Sequence, residues 1–407
     1  MLKLSQRSRD LPDSPIRKLA PYAEAAKAAG RKVYHLNIGQ PDLHTPPAAL
    51  QRLRQEPIDV LAYCPSWGVP SYRQKIPDYF AHYDIHIEPE DILVTTGASE
   101  AIFLAFLACL DPGDEIIVPE PFYANYLGFA AMADIRVVPV TSYLAEAFAL
   151  PPVSAIEAAI TPRTRAILLC NPNNPTGGIY TADVLQELAT IVRERQLFLM
   201  VDEVYREFVY TTNPFRSALQ LEGLEDYVIV IDSISKRYSA CGARVGTLIS
   251  RNRSLLQALF RYAQFRLSPP GFGQIFAEAA LDLGEAYLEG VVAEYDQRRR
   301  HLYARLSTLP DVKCYLPQGA FYLFAELPID NADRFCQWLL ESFQHEGQTL
   351  MLAPGSGFYA TPGLGEREVR IAYILQTADL DAAMDCLDVA LRVYPGRRVL
   401  SDALHKN

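Results

Sequence analysis

The sequence predicts an α/β fold in which a large, mainly parallel sheet is covered by helices on both faces. From about residue 90, short runs rich in Val, Ile and Leu alternate with helical patterns, as in "RAILLC" before "ADVLQELATIVRERQ". Such alternation is typical of βαβ units whose sheet is buried on both faces. After about residue 250 the pattern becomes mainly helical, and short strands return at "AFYLFAEL" and "EVRIAY". We therefore also predict a smaller α+β domain built from the N- and C-terminal parts of the chain.

The predicted division has three segments. Residues 1–55 join the small domain, residues 56–285 form the large domain, and residues 286–407 form the small C-terminal domain. Ser14 and Pro15 are expected to cap a first helix that Gly30 closes. Pro77 is expected to kink or break the helical pattern of its segment, because proline lacks the backbone N–H that a helix interior needs.

The large domain then follows as strands and helices in order. Strands are predicted at 92–97, 115–120, 135–140, 165–170, 197–203, 228–233 and 244–250, after a first strand at 33–39. The apolar run "AIFLAFLACL" at 101–110 is half as long as a membrane span and is predicted to be a buried helix. Further helices are predicted near 153–160 and at 284–308, 331–345 and 379–393.

Composition and charge exclude several classes of protein. The chain has 407 residues, 50% of them hydrophobic, which is enough for a large core and more than one domain. A net charge of −10 argues against a nucleic-acid partner. The seven cysteines show neither a CxxC pair nor a Cys/His metal spacing, so we expect buried reduced thiols, a cytoplasmic protein and no metal site. The start "MLKLSQRSRD" lacks the apolar core of a signal peptide.

Small residues follow the first strand of the large sheet. Gly97, Ala98 and Ser99 lead directly into a helix. Free N–H groups and the positive end of the helix dipole would suit a phosphate there. The alternative, a simple N-cap by Ser99, is favoured when this stretch is taken alone.

Two further strand ends carry polar residues. The loop "LCNPNNPTG" is stiff and turned, and either Asn171 or Asn174 could direct an amide at a ligand. Asp202 ends a strongly apolar strand, where a carboxylate needs a partner such as a structural arginine or a cationic ligand. Tyr205 follows it. An ordinary turn and a helix cap by Asp202 are the respective alternatives.

Lys236 follows the strand "VIVIDS", close in sequence to Ser233, Ser235 and Arg244. Desolvation and a neighbouring cation both lower the pKa of a lysine, and a neutral amine can attack a carbonyl to form a Schiff base. A surface lysine in a loop is the alternative. Together, the strand ends supply phosphate donors, an amide, a carboxylate, a phenol, an amine and a guanidinium. This set matches the needs of pyridoxal 5'-phosphate.

With these motifs the chain resembles the fold-type I, class I and II aminotransferases, which use pyridoxal 5'-phosphate, and it is aspartate-aminotransferase-like. The stretches "NPNNPTG", "DEVY" and "SISK", the last followed by Arg244, occur in that order between Gly39 and Arg370. The resemblance implies that residues 56–285 form the cofactor-binding domain. It implies a cofactor site made of Gly97, Ala98, Ser99, Tyr123, Asn174, Asp202, Tyr205, Ser233, Lys236, Arg244 and Tyr63.

The resemblance also implies individual roles. Lys236, Asp202 and Tyr205 are the expected catalytic residues: the lysine holds the cofactor as a Schiff base and moves the proton, the aspartate pairs with the pyridine nitrogen, and the tyrosine bonds the phenolic oxygen together with Asn174. Gly39, Asn174 and Arg370 are the expected substrate-binding residues, with the planar guanidinium gripping the α-carboxylate. A salt bridge on a strand is the alternative for the arginine.

Four further residues carry expectations about ring stacking, the partner subunit and charge. The ring of Tyr123 is expected to stack on the cofactor. Tyr63 is expected to reach the phosphate of the neighbouring subunit, which requires a homodimer. Arg17 and Lys18 lie in a segment that borders the active site in such enzymes, but we expect solvated charges on a helix. No second cation is assigned to a distal carboxylate.

The expected reaction is ping-pong transamination between an amino acid and a 2-oxo acid, with aspartate or glutamate and 2-oxoglutarate as the expected substrates. One alternative is a C–S β-lyase, which uses the same cofactor and lysine. Another is a ligand-sensing regulator, which needs a DNA-binding domain that this acidic chain lacks room for before its first strand. A nicotinamide enzyme is disfavoured because no GxGxxG follows any strand. Neither a nucleic acid nor a membrane is expected as a partner.

Overall fold

Helices and strands alternate along most of the chain. The computed structural model describes residues 2–11, 14–15, 17–212 and 215–398. The helices are α1 (Gln6–Asp10), α2 (Ala20–Ala28), α3 (Pro47–Gln55), α4 (Pro70–Ala81), α5 (Gly97–Cys109), α6 (Asn125–Ala133), α7 (Val153–Ala158), α8 (Ala182–Arg195), α9 (Arg253–Arg266), α10 (Gly271–Leu281), α11 (Gly284–Leu306), α12 (Ala332–Glu341) and α13 (Thr377–Val393). None of the helices within these ranges is both long and apolar enough to cross a bilayer.

The strands form three sheets. They are β1 (Lys32–His35), β2 (Ile92–Thr95), β3 (Glu115–Glu120), β4 (Arg136–Thr141), β5 (Thr164–Cys170), β6 (Phe198–Asp202), β7 (Val228–Ser233), β8 (Gly246–Ile249), β9 (Lys313–Cys314), β10 (Tyr322–Glu326), β11 (Gln348–Met351), β12 (Ala353–Pro354) and β13 (Glu368–Ala372). The largest sheet has seven strands in the order β2-β8-β7-β6-β5-β3-β4. Only β8 runs antiparallel to its neighbours, so the predicted mainly parallel sheet is confirmed.

Both faces of this sheet are buried, because successive side chains of each strand point to opposite sides. In β5, Ile167 and Leu169 pack in a cluster with residues of α4, α8 and α10. Ala166 and Leu168 pack on the other face with residues of α5, α6 and α9. This two-sided burial explains why the strands read as continuous apolar runs rather than as alternating patterns.

The remaining strands form a smaller α+β region. Strands β12, β13, β10 and β9 make an antiparallel sheet in that order. Strand β1, from the N-terminal part, pairs in parallel with β11, from the C-terminal part, with Lys32 opposite Gln348. A third apolar cluster joins Tyr34 of β1 to residues of α11, α12 and α13. The N-terminal segment is therefore packed into the C-terminal region, as the sequence predicts.

The predicted start of the helix that Gly30 closes is wrong. The helix expected to start at Ser14 and Pro15 begins only at Ala20, because the Ser14 carbonyl accepts N–H groups of a preceding turn, from Arg17 at 3.1 Å and from Lys18 at 3.0 Å. The other end agrees with the prediction, since Gly30 follows α2 in a left-handed conformation with φ of +82°.

The predicted break at Pro77 is wrong, because its helix runs as one element from Pro70 to Ala81, whereas the predicted kink stays a prediction. Its neighbours Ile76, Tyr79 and Phe80 are buried against the large sheet. Proline in a helix interior is unfavourable by about 3 kcal/mol. Burial of these three apolar side chains offsets that penalty, since each fully buried one contributes roughly 2 kcal/mol.

The cysteines are free, as expected, but they are not uniformly buried. Cys170, Cys336 and Cys386 are buried, whereas the other four are partly exposed. The expectation of seven buried thiols is therefore wrong, because the remaining cysteines lie on loops and element ends rather than in the core.

The chain topology places several strand ends at one edge of the large sheet. Strands β3, β5, β6 and β7 are mutually parallel, and β2 shares their direction because β8 runs antiparallel to both β2 and β7. In such sheets, ligands bind outside the carboxyl ends of the strands.

Candidate active site

A cavity of about 530 Å³ lies at this edge. Most of the residues predicted for the site line it: Gly39, Ala98, Ser99, Tyr123, Asn174, Asp202, Tyr205, Ser233, Lys236, Arg244 and Arg370. Gly97 and Tyr63 are the predicted residues that do not line it. Tyr63 is 78% exposed on the surface. Residues far apart in the sequence thus meet around one space, as the shared edge predicts.

Asp202 ends β6 and is buried. Its Oδ2 accepts a hydrogen bond from the Tyr126 hydroxyl at 2.8 Å, and its Oδ1 accepts one from the Val204 N–H at 3.3 Å. Burial raises the pKa of Asp202 to about 6, against these two bonds. A turn rather than a helix follows, so the helix-cap alternative is wrong.

Lys236 lies in the loop after β7, and its Nζ donates to the Gly39 carbonyl at 2.8 Å. Burial lowers the pKa of Lys236, and the positive charges of Arg370 and Arg244 lower it further. Cys241 lies beside the amine, with 3.9 Å between Nζ and Sγ. The amine faces the cavity, so the interpretation as an ordinary surface lysine is wrong.

The sequence left open whether Asn171 or Asn174 directs its amide at a ligand, and the structure distinguishes between them. Asn174 lines the cavity, and its Oδ1 accepts a hydrogen bond from the Arg370 guanidinium at 2.8 Å. The Oδ1 of Asn171 instead accepts the Tyr180 N–H at 3.0 Å, which holds the loop together. Of these two asparagines, only Asn174 can therefore contact a ligand in the cavity.

Arg370 lies on β13 and is buried. Besides its bond to Asn174, the guanidinium donates to the Asn37 carbonyl at 2.6 Å and lies over the rings of Tyr322 and Phe358, 4.4 and 4.9 Å from their centres. Its Nε has no hydrogen-bond partner in the described part of the chain. No carboxylate of the described residues pairs with this guanidinium, so the strand salt bridge is excluded there and an anionic ligand is suited to the position.

A corner with the character of an anion site forms at the start of α5. The helix begins at Gly97, so Ser99 is inside it and the simple N-cap interpretation is wrong. The Arg244 guanidinium donates to the Thr96 carbonyl at 3.4 Å and lies where a Cβ on Gly97 would be. Gly246 allows the helix to approach β8, because a Cβ there would lie 2.6 Å from the Ala98 nitrogen.

Ser233 completes this corner. Its Oγ donates to the Val245 carbonyl at 2.9 Å and lies 2.7 Å from the Ser235 Oγ. A helix N-terminus, a guanidinium and hydroxyl groups thus converge on one end of the cavity, as phosphate groups require.

Three tyrosines also line the cavity, namely Tyr123, Tyr205 and Tyr322. The Tyr205 hydroxyl lies 2.8 Å from the Tyr322 hydroxyl. The Tyr123 hydroxyl accepts a hydrogen bond from the Asn125 amide at 2.7 Å, and its ring meets that of Tyr126 edge to face.

Sequence reasoning missed Tyr126, Tyr322 and Cys241. The first bonds Asp202, and the other two line the cavity. For the two tyrosines, the only signal in the sequence is a hydroxyl within a largely apolar stretch, as in "AFYLFAEL", and many structural tyrosines share it. The sequence gives no signal for Cys241.

Arg17 and Lys18 also differ from expectation. Both lie in a turn before α2 rather than on a helix. Arg17 lines the cavity, and Lys18 forms an ion pair with Asp333. The expected helix is wrong, because both residues lie in a turn, but both are exposed to solvent as expected.

Comparisons with known proteins agree with this geometry. The sequence profile of the family "Aminotransferase class I and II" matches residues 31–402. An aspartate aminotransferase from Thermotoga maritima is 31% identical over 387 residues, covering 95% of this chain and 98% of the relative.

Solved structures are similar over almost the whole chain. The aspartate aminotransferase structure from Thermotoga maritima gives a TM-score of 0.87 at 30% identity and covers 96% of this chain and 100% of its own. An alanine aminotransferase from Pyrococcus furiosus gives 0.86 at 30% identity, covering 95% and 99%. The predicted fold, family and enzyme class are confirmed: the chain belongs to the class I and II aminotransferases, enzymes that depend on pyridoxal 5'-phosphate.

Proposed function

We propose that this aminotransferase uses Lys236 and Asp202 as its central catalytic pair. One observation carries the assignment. The two side chains carry groups of opposite charge, they line the same cavity, and among the described residues neither forms an ion pair. Buried charged groups are unfavourable unless a partner of opposite charge or a hydrogen-bonding ligand pairs with them. A cofactor with a cationic ring nitrogen would pair with Asp202, and its aldehyde would condense with Lys236.

The other lining residues fit the same group. The N-terminus of α5, Ser233 and Arg244 would hold the phosphate, and Asn174 and Tyr205 would bond the phenolic oxygen. Tyr123 would cover the ring. Gly39 would let its backbone approach the substrate, a role supported by the hydrogen bond that its carbonyl accepts from Lys236.

When bound, pyridoxal 5'-phosphate supplies an aldehyde that condenses with amines and a ring that accepts the electrons of the breaking Cα–H bond. Lys236 Nζ, whose pKa is lowered by burial, would accept the Cα proton and return it at the end of each half-reaction. Asp202 holds a proton on the ring nitrogen. Arg370 orients the substrate through its α-carboxylate.

We propose acidic amino acids, aspartate or glutamate with 2-oxoglutarate, as the substrates. The names of similar proteins include both an aspartate and an alanine aminotransferase, so they do not select one class. Among the described residues, five charged side chains line the cavity: Arg17, Asp202, Lys236, Arg244 and Arg370. The roles proposed above use all except Arg17, and this remaining cation is suited to a second carboxylate.

We also propose a homodimer in which Tyr63 reaches the neighbouring active site. Exposed apolar side chains support a second copy as the partner: Val60, Leu61, Phe265, Leu267 and Phe272. Two hydrogen bonds hold their segments together, from the Ser66 hydroxyl to the Leu267 carbonyl at 2.6 Å and from the Cys64 thiol to the Pro269 carbonyl. Contiguous apolar surface of this kind marks an interface.

The dimer is tested by light scattering during gel filtration. Wild-type protein should elute as a dimer, and Leu61→Asp combined with Phe265→Asp should elute as a monomer. Tyr63→Phe should stay dimeric but bind the cofactor more weakly. A monomeric wild type would exclude this role of Tyr63.

The domain limits and the location in the cell are proposals as well. The segments 1–55 and 286–407 supply the two smaller sheets, which supports limits near residues 55 and 285. The seven free cysteines support a cytoplasmic protein.

The central assignment is tested by absorbance of the purified protein with pyridoxal 5'-phosphate. Wild type should show a visible absorbance band, and sodium borohydride should fix the cofactor covalently on Lys236. Aspartate should bleach the band, and a 2-oxo acid should restore it. Lys236→Ala should lack the band, while Lys75→Ala, which removes an exposed lysine paired with Asp282, should keep it. Release of thiol and ammonia from a cysteine conjugate without amino transfer would indicate the lyase instead.

A further inference from the structure

Tyr322 touches three residues of the site although the sequence assigns it no role. Its hydroxyl lies 2.8 Å from that of Tyr205, and its ring lies beneath the Arg370 guanidinium at 4.4 Å. Gly39 leaves room for it, since a Cβ on Gly39 would overlap the Tyr322 hydroxyl. The side chain is 2% exposed and lines the cavity.

The contact between the two hydroxyls has two possible directions. Each hydroxyl carries one hydrogen, and either oxygen can be the donor at this distance. Within the described part of the chain, neither hydroxyl has another hydrogen-bond partner. If Tyr322 donates, the hydrogen of Tyr205 is free for an acceptor in the cavity. If Tyr205 donates, its oxygen can only accept from a ligand.

Arg370 distinguishes the two directions. A cation over an aromatic ring stabilises negative charge on that ring, which makes the Tyr322 hydroxyl the stronger donor. The directions of the pKa shifts agree with this. Burial raises the pKa of Tyr322 to about 12, with Arg370 as the main opposing influence, whereas burial and the neighbouring Tyr322 raise the pKa of Tyr205 well above its usual range, with Arg370 opposing more weakly.

We propose that Tyr322 is a positioning residue that donates its hydroxyl hydrogen to Tyr205 and thereby directs the Tyr205 hydrogen into the cavity. The inference rests on the proposed function, in which Tyr205 donates to the phenolic oxygen of the cofactor. It explains why a tyrosine stands in an apolar strand directly after Phe321, where a second phenylalanine would fill the same space.

The test uses Tyr322→Phe, which removes the hydroxyl but keeps the ring beneath Arg370. The measurement is the pH at which the absorbance of the bound cofactor changes. Loss of the Tyr322 hydroxyl makes Tyr205 a weaker donor to the cofactor. The midpoint of the absorbance change should therefore move in the same direction as in Tyr205→Phe. We expect a smaller shift, on the order of 0.5 pH unit.

Tyr373→Phe is the matched control. Tyr373 is also buried, and its hydroxyl donates to the Ala320 carbonyl at 3.1 Å, but it does not line the cavity. It should leave the midpoint unchanged. Thermal denaturation of each variant without cofactor reports any general loss of stability separately.

The double variant Tyr205→Phe, Tyr322→Phe tests the direction independently. Because Tyr322 acts only through Tyr205, the double variant should have the midpoint of Tyr205→Phe alone. A shift of opposite sign in Tyr322→Phe, no shift, or additive shifts would each overturn the proposal. Absence of the band in wild type, or its persistence in Lys236→Ala, would instead refute the proposed function.

Discussion

The Arg370 guanidinium donates to the Asn174 side-chain oxygen across 2.8 Å, which joins the antiparallel C-terminal sheet to the loop after β5 of the large sheet. One residue proposed for the substrate and one proposed for the cofactor therefore share a hydrogen bond. The same guanidinium donates to the Asn37 carbonyl, from the segment after β1. Three regions of the chain thus fix the plane of this arginine before any substrate arrives.

Arg370→Lys should impair substrate binding although it keeps the charge. Lysine has no planar fork, so it cannot grip a carboxylate in two places while bonding Asn174. We expect kcat/KM for every amino acid substrate to fall about 100-fold, as for the loss of about 3 kcal/mol of charge-assisted hydrogen bonding. Steady-state kinetics check this, with Arg392→Lys, an exposed arginine paired with Asp388, as the control. Equal kinetics in the two variants would remove Arg370 from the substrate site.

Asp202 should make the cofactor-free protein less stable as pH rises. Its folded pKa is about 6 and lies above its unfolded value because of burial. A carboxyl group with a raised folded pKa contributes its full stability below the unfolded value, near pH 4, and loses it as pH rises to about 6. The loss is on the order of 3 kcal/mol.

Urea denaturation of wild type and Asp202→Asn without cofactor measures this contribution. The difference in unfolding free energy between the two proteins should change between pH 4 and 6 and then stay constant, with the variant relatively more stable at the higher pH. Asp226→Asn, which alters an exposed carboxylate, should track wild type throughout. A constant difference for Asp202→Asn would mean that its pKa is not raised.

The fold was predictable because burial on both faces of the sheet leaves a direct mark in the sequence. Each strand such as β5 must be apolar at every position, and the intervening helices are long and patterned. The grouping of the candidate site's side chains around one cavity was predictable for a related reason. Asp202 and Lys236 are charges next to apolar strands, and the strand direction places their ends at one edge.

Other parts of the site depend on packing that no local pattern reveals. Tyr322 reaches Tyr205 only because β10 of another sheet packs against the turn after β6, and Arg17 reaches the cavity only because a turn replaces the expected helix start. Pro77 stays in a helix because its neighbours are anchored on the sheet. Contacts between elements that are distant in the sequence therefore determine the positions of Tyr322, Arg17 and Pro77.

Arg17→Met should change the preference among substrates rather than the general activity. If Arg17 binds a second carboxylate, its loss should lower kcat/KM for aspartate about tenfold or more, the range of a charge-assisted hydrogen bond. The value for alanine, which has no second carboxylate, should stay within about twofold, a small change in free energy. The measurement is the ratio of the two kcat/KM values.

Lys18→Met is the matched control for Arg17, since it removes the neighbouring cation of the same turn. Lys18 pairs with Asp333 instead of lining the cavity, so its loss should leave the ratio unchanged. Equal ratios in Arg17→Met and wild type would show that Arg17 does not select the substrate. The transamination itself would be unaffected by that result.

Arg237, which follows the proposed catalytic lysine in the sequence, anchors a buried charge cluster. Its guanidinium donates to both carboxylate oxygens of Asp232, each at 2.8 Å, and to Glu207 at 3.1 Å. Burial raises the pKa of Glu207 to about 7, although Arg237 opposes the shift. The cluster links the strand that leads to Lys236 with the segment that carries Tyr205.

Arg237→Met should lower the unfolding free energy by about 3 kcal/mol at pH 8, because buried Glu207 loses its paired cation and buried Asp232 keeps, among the described residues, only Arg206, at 3.7 Å. The folded pKa values of the two carboxylates rise in the variant, so the loss should be smaller at pH 5.5, where Glu207 binds a proton. Urea denaturation at both pH values checks this. Arg253→Met, which breaks a pair with Asp91 in which the arginine is 57% exposed, should change stability by less than about 1 kcal/mol. If the Arg237 variant matched this control, the cluster would not stabilise the fold, and its link to Lys236 would have no energetic basis.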